Sequence, residues 1–131
     1  MKHLYPIITT PALRECRDFY VKVLNARVLF QQDWYVHLSI GGWEIGFLMP
    51  NPPKRLPVFQ HAALSRGLCL ALEVEDVIEV HDQFVKKGIE MLGQLSSFPG
   101  GEKAFSVMDP AGVVLNIVER SNETAEGVFE V

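Results

Sequence analysis

Cysteine is scarce in this chain: Cys16 and Cys69 are the only two among 131 residues. Two thiols cannot build a disulfide framework, so a reduced, cytoplasmic protein is expected. Basic charge is also short. Lys and Arg number 12 against 16 Asp and Glu, a formal net charge of −4. With no arginine stripe and no block of like charge, nucleic acid and anionic membrane are not expected as main partners. No apolar run reaches the roughly 20 residues that cross a bilayer. The start, Met1-Lys2-His3-Leu4-Tyr5-Pro6, passes straight into a strand pattern, so no signal peptide is expected. What remains is 48% hydrophobic and 21% charged, ordinary for one soluble domain with a real core.

Periodicity divides the chain into elements. Leu4 to Thr9 alternates as a strand, with Pro11 beyond it. Thr10 followed by Pro11 is a helix-start signal, a hydroxyl cap before proline. Leu13, Cys16, Tyr20, Val23 and Leu24 recur at helical spacing, which predicts an amphipathic helix from Pro11 to Leu24. Strand patterns follow at Arg27 to Gln31, Trp34 to Ile40 and Trp43 to Met49, and Gly41-Gly42 supplies a two-residue hairpin. The order then begins again. Leu68 to Glu75 is a strand, Asp76 and Glu79 form a capping-box pair, Val77, Val80 and Phe84 mark a buried helix face, and Gly88 stops the helix. Strands near Ile89 to Leu95, Lys103 to Met108 and Val113 to Glu119 complete the set.

The chain is therefore βαβββ written twice, an α+β fold. One register aligns Asp18-Phe19-Tyr20-Val21-Lys22 with Asp82-Gln83-Phe84-Val85-Lys86, Tyr5 with Cys69, and Ile8 with Leu72. The expected organisation is a single domain over 1–131. Module one covers 3–49, a linker 50–66, module two 67–119 and a polar, acidic tail 120–131. The linker carries Pro50, Pro52, Pro53 and Pro57, which continue neither strand nor helix. It reads as a stiff connector, with a pocket lid or a dimer arm as the alternatives.

Alternation sorts the strands into two faces. One is apolar and is expected under the helices: Leu4, Pro6, Ile8; Trp43, Ile45, Phe47; Leu68, Leu70, Leu72, Val74; Val113, Leu115, Ile117. The other mixes aromatic, small and polar groups: Tyr5, Ile7, Thr9; Tyr35, His37, Ser39; Glu44, Gly46, Leu48; Cys69, Ala71, Glu73; Ser106, Met108; Val114, Asn116, Val118. Such a face suits a ligand cavity or an interface, and a solvated sheet face is the plainer alternative. Asn116 stands out as the one polar residue in the apolar run Val113 to Val118, which follows a turn at Asp109-Pro110-Ala111-Gly112.

These features together resemble the vicinal oxygen chelate superfamily of glyoxalase I, bleomycin-resistance proteins and extradiol dioxygenases. The carriers are the paired modules, Asp18-Phe19-Tyr20-Val21-Lys22-Val23-Leu24, the junction Leu70-Ala71-Leu72-Glu73-Val74-Glu75-Asp76-Val77, and Asp109-Pro110-Ala111-Gly112. The resemblance spans about residues 3 to 119 and implies a cupped mixed sheet with helices on its outer face, commonly in a homodimer. It also implies four metal-ligand positions, which fall here on Tyr5, Glu44, Cys69 and Asn116. Imidazole and carboxylate are the usual donors for such a metal. Only Glu44 is one. Tyr5 would have to ionise from a pKa of about 10, Asn116 is a neutral donor, and Cys69 between Leu68 and Leu70 reads as a small core residue. No cofactor is expected, and a divalent metal is the less favoured case.

Without the metal, the resemblance is to the bleomycin-resistance type. Its carriers are Phe30-Gln31-Gln32-Asp33-Trp34-Tyr35-Val36-His37-Leu38, the strand with Cys69, and the proline-bearing segment after the fourth strand. This implies a metal-independent protein that sequesters an amphipathic or aromatic small molecule. The expected ligand-binding residues are Tyr5, Trp34, Tyr35, His37, Glu44, Cys69 and Asn116, with Phe59 and Phe98 as further aromatic candidates. Glu44 or Glu73 would neutralise a cationic ligand. Each aromatic has packing as its alternative. A different reading is a metal-dependent lyase or dioxygenase whose nonstandard site uses His37 and Glu44. A third is an interaction module without a ligand. His3, His61 and His81 read as solvated or partly buried side chains.

Overall fold

The computed structural model describes residues 1–50, 68–97 and 101–120. The chain divides into two compact units: Met1–Gly67 with the turn Asp109–Gly112, and Leu68–Met108 with Val113–Val131. No helix among the described residues is long and apolar enough to cross a membrane. The fold is α+β, and the βαβββ order occurs twice.

The first unit contains β1 (Ile7–Thr9), α1 (Leu13–Leu24), β2 (Arg27–Gln32), β3 (Tyr35–Ile40) and β4 (Trp43–Leu48). The sheet order is β1-β4-β3-β2. Strands β1 and β4 run parallel, and the other pairs are antiparallel. The helix starts at Leu13 rather than Pro11. The Thr10 hydroxyl accepts from the Ala12 amide at 3.1 Å, closing a short turn in which Pro11 sits, and Ala12 becomes the N-cap. Asn25 ends the helix in the left-handed conformation, with φ of 55°. Gly41 and Gly42 have φ of 55° and 89°, as the two-residue hairpin between Ile40 and Trp43 requires.

Helix α1 buries Leu13, Cys16, Tyr20 and Val23, while Ile8, Val36, Leu38, Ile45, Phe47 and Leu48 are buried apolar side chains of the sheet. Each such aliphatic or aromatic side chain contributes roughly 1.5–3 kcal/mol of burial. Two residues expected in this core are outside it. Leu4 is 85% exposed because the strand begins only at Ile7, and Trp43 is 78% exposed at the hairpin end of β4.

The second unit contains β5 (Cys69–Glu73), α2 (Val77–Lys86), β6 (Leu92–Ser97), β7 (Lys103–Met108) and β8 (Val114–Glu119). Its order, β5-β8-β7-β6, repeats the first, with β5 parallel to β8. The register that aligned Tyr5 with Cys69 also aligns Leu13 with Val77, and each begins a helix. Asp76 caps α2 as its sequence indicated, accepting from the Glu79 amide at 3.1 Å. The Glu119 carboxylate accepts from the Val77 amide at 3.0 Å, a second cap on the same helix. Val77 and Phe84 are the buried residues of α2, with Val80 of the expected face half-buried; Phe105, Val107, Leu115 and Ile117 are buried in the sheet, and Val113 just before β8. His81 meets Phe105 edge-on at 5.0 Å. Edge strand β5 is less covered than its apolar residues implied: Leu68 is exposed, while Leu70, Leu72 and Val74 are half-buried. Cys69 is likewise exposed, not a small core residue.

The turn after β7 has the expected form. Gly112 donates to the Asp109 carbonyl at 3.0 Å, and the Ala111 amide donates to Asp109 Oδ1 at 2.9 Å. The linker over 50–66, the tail over 120–131, His61, Phe59 and Phe98 fall wholly or mainly outside the described residues.

Candidate functional site

Strand pairing brings the site together. In the β3–β4 register Tyr35 lies opposite Leu48, His37 opposite Gly46 and Ser39 opposite Glu44. Paired residues share a face, so Tyr35, His37 and Glu44 project from one side of the sheet. The His37 Nε2 lies 2.6 Å from Glu44 Oε1, and its Nδ1 lies 2.6 Å from the Tyr35 hydroxyl. Both ring nitrogens of His37 are thus engaged, and which of them donates depends on the tautomer. The result is a hydrogen-bonded chain from Tyr35 through His37 to Glu44. The exposed His3 reaches the other Glu44 oxygen at 3.6 Å.

Aromatic rings enclose this chain. Tyr5 meets His37 edge-on at 4.8 Å, and Tyr35 stacks on His37 with centroids 5.7 Å apart. Phe30 and Trp34 stand 6.2 and 5.9 Å from Tyr35. Trp34 Nε1 donates to Gln32 Oε1 at 3.0 Å, which fixes the indole. Gly46 makes the arrangement possible, because a Cβ there would overlap the Tyr35 hydroxyl and ring. A pocket of about 370 Å³ opens among Tyr5, Ile7, Phe30, Trp34, Tyr35, His37 and Leu48, within the range of small-molecule sites. Burial first, then the negative character of Tyr5 and Glu44, pushes the Tyr35 phenol up to about 12. Tyr35 is therefore a neutral hydroxyl at physiological pH.

Five of the seven sequence-derived candidates, Tyr5, Trp34, Tyr35, His37 and Glu44, thus meet in the first unit. Four of them line the pocket, and Glu44 stands behind His37. Cys69 and Asn116 belong to the second unit and do not line this pocket. Asn116 lies opposite Ala71 in β5 and Ser106 in β7, and its Oδ1 accepts from the Ser106 hydroxyl at 3.1 Å. Its side chain therefore has a neutral partner within its own sheet. Glu73, the other carboxylate considered for a cation, pairs with Arg120 at 3.5 Å. Phe30 is a pocket residue that sequence alternation did not single out. The β2–β3 register slips between Val28 and Phe30, placing Phe30 opposite His37. A bulge of this kind redirects the side chains after it and has no reliable signature in β2's sequence.

At the four positions that the resemblance implies, Tyr5, Glu44, Cys69 and Asn116, the donors do not make the usual imidazole and carboxylate set. Glu44 is the only carboxylate, and its Oε1 is held by His37. Asn116 offers a carbonyl already bonded to Ser106, and Tyr5 a phenol packed edge-on against His37. Among the described residues, no group of three or more His, Cys, Asp and Glu side chains is arranged to hold a metal.

The family profile described as "Glyoxalase/Bleomycin resistance protein/Dioxygenase superfamily" matches residues 2–117. The chain belongs to this superfamily. Among solved structures it is similar to lactoylglutathione lyase from Agrobacterium tumefaciens, with TM-score 0.72 and 17% identity, covering 91% of this chain and 94% of that one. It is also similar to a bleomycin-binding protein complexed with bleomycin, with TM-score 0.67 and 16% identity, covering 92% and 100%. At these identities the likeness is one of fold. A curated relative, ribosome maturation factor RimP from Nitratidesulfovibrio vulgaris, is 32% identical over 83 residues, 59% of this chain. The chain spans about half the length of that relative, 48%.

Proposed function

We propose that this protein is a metal-independent, small-molecule-binding member of the superfamily. It sequesters an aromatic or amphipathic ligand in the pocket between Tyr5, Phe30, Trp34 and Tyr35, as a cytoplasmic homodimer. The observation that carries this reading is the pocket's composition. Its walls are aromatic and aliphatic, and one hydrogen-bonded chain, Tyr35–His37–Glu44, supplies the polar contact. Flat ligands gain both apolar burial and ring stacking in such a site. The donor set described above supports metal independence. The bleomycin-binding protein, similar in fold, is complexed with a small molecule, bleomycin.

The test uses the two tryptophans. Trp43 is exposed and Trp34 lines the pocket, so a Trp43→Phe protein reports the site through Trp34 alone. Flat aromatic compounds should quench it saturably, equally with chelator or with added Zn²⁺, Ni²⁺, Mn²⁺ or Fe²⁺. Tight stoichiometric uptake of any of these metals by calorimetry overturns metal independence. The His37–Glu44 pair supports a second reading, a metal-dependent lyase or dioxygenase centred on those two residues. On that reading Glu44→Gln abolishes metal uptake and turnover.

A further inference from the structure

The charges around the pocket are of one useful sign. Tyr5, Phe30, Trp34 and Tyr35 bring four aromatic rings to it, and Ile7 and Leu48 add aliphatic surface. No lysine or arginine is among the described residues that line it. The ionised side chain held against its lining is a carboxylate: Glu44, half-buried on the same face of the sheet, 2.6 Å from the ring of His37. His3 and His37 both approach that carboxylate, and a neutral imidazole in either tautomer leaves its charge uncompensated. Arg27 shares the face, two strands across from Glu44, but it is exposed and stands outside the pocket. An anion entering such a site loses its hydration and meets only ring electrons and a like charge. A cation meets aromatic rings, whose faces are negative, and an attractive charge in a partly buried setting. A compact ammonium still gives up strong hydration there, whereas a charge delocalised over a flat ring is weakly hydrated and also stacks.

We infer that the pocket selects flat, delocalised organic cations, such as N-alkylated heteroaromatic rings, over neutral isosteres and over anions. This inference rests on the binding function proposed above. The aromatic walls take the ligand's plane. Glu44 sets the charge preference through its field and need not touch the ligand, so the preference holds whichever ring nitrogen of His37 carries the proton.

The test uses three probes of one bicyclic shape: N-methylquinolinium, 2-methylquinoline and 1-naphthoate. Each is titrated by calorimetry into the Trp43→Phe protein at pH 8 and low salt, with quenching of Trp34 reporting that the pocket is filled. The expected order places N-methylquinolinium at least about threefold tighter than 2-methylquinoline, with 1-naphthoate weakest. Glu44→Gln keeps a hydrogen-bonding partner for His37 and removes the charge, so it should bring the first two probes within about threefold of each other. Loss of structure would weaken both alike and leave their ratio where it was. A smaller or reversed preference in the Trp43→Phe protein, a naphthoate that binds as tightly as the cation, or a ratio that survives Glu44→Gln overturns the cation selection by Glu44 and leaves the pocket reading intact. Failure of all three probes to bind and quench Trp34 overturns both.

Discussion

The Tyr20 hydroxyl donates a 2.7 Å hydrogen bond to Asp109 Oδ2, joining α1 to a turn 89 residues further along the chain. Both groups are buried, and the acceptor also holds its own turn through the Ala111 amide. A buried bond to a carboxylate contributes about 1.5–3 kcal/mol. Tyr20→Phe keeps the ring packed on Phe47 and removes only the hydroxyl, so chemical denaturation should report a loss of that size. Burial, then Asp109, pushes the Tyr20 phenol well above its ordinary value of 10.0. Because the folded value is the raised one, this stabilisation is complete below pH 10 and declines above it. Tyr20→Phe should therefore be less stable than the parent at pH 7 and lose less on going above pH 10.

The two cysteines should separate cleanly. Cys16 is fully buried, at 0% exposure, while Cys69 is exposed. Burial, followed by the negative charges of Asp109 and Glu15, pushes the Cys16 thiol from 9.0 to about 12. A disulfide reagent at neutral pH should titrate one thiol per native chain, and Cys69→Ser should abolish that reaction. The second thiol should appear only in denaturant. The raised Cys16 value also places a stability loss between pH 9 and 12, which Cys16→Ala should flatten while costing some stability at pH 7.

Much of this fold was legible in the sequence because its signals are local. Gly41-Gly42 dictates a hairpin, Asp76 with Glu79 a helix start, and Asp109-Pro110-Ala111-Gly112 a turn, each through a few neighbouring residues. The candidate site was legible where strand alternation held, as for Tyr35, His37 and Glu44. It failed at Phe30, where a bulge shifts the register, and at Trp43 and Leu4, whose apolar character says nothing about where the helix stops covering the sheet. That both ring nitrogens of His37 find partners at 2.6 Å was not legible either, because it depends on the rotamers of three side chains. Likewise, the bond from Tyr20 to Asp109 leaves no trace in local pattern.

Gly46 should prove as important to binding as the aromatic residues. A methyl group at this position would occupy the space of the Tyr35 hydroxyl. The phenol is the free end of a half-buried side chain, so it can swing away and the fold survives. The strain of such an added methyl is typically 1–3 kcal/mol. Gly46→Ala should thus remain folded by circular dichroism, with stability reduced by about that amount. Its Tyr35–His37 bond should be broken in a crystal structure, and flat aromatic compounds should bind it more weakly than the parent. Retention of the parent affinity would show that the Tyr35 placement does not shape the pocket.

Thr9 offers a test in the opposite direction. Its hydroxyl is buried at 6% exposure on β1 and has no hydrogen-bond partner among the described residues. A buried polar group in that condition costs about 1–3 kcal/mol. Valine has nearly the same shape, keeps the β-branch that suits a strand, and carries no group to desolvate. Thr9→Val should accordingly raise the denaturation midpoint without changing the slope of the transition. A lowered midpoint would show that the hydroxyl is bonded in solution, with ordered water as the natural partner.

The N-terminus of α2 carries two acidic caps from different parts of the second unit. Asp76 accepts from the Glu79 amide within the helix's own first turn, and Glu119, at the end of β8, accepts from the Val77 amide. Both carboxylates also face the positive end of the helix dipole. Replacing an N-cap aspartate by alanine costs about 0.5–2 kcal/mol. Asp76→Ala should fall in that range. Glu119→Gln retains an acceptor for Val77 and should cost only the charge contribution, about 0.3–1 kcal/mol, shrinking as salt is added. The double variant should lose close to the sum, because the two side chains serve different amides. A strongly non-additive cycle would mean that either carboxylate can take over the other's amide.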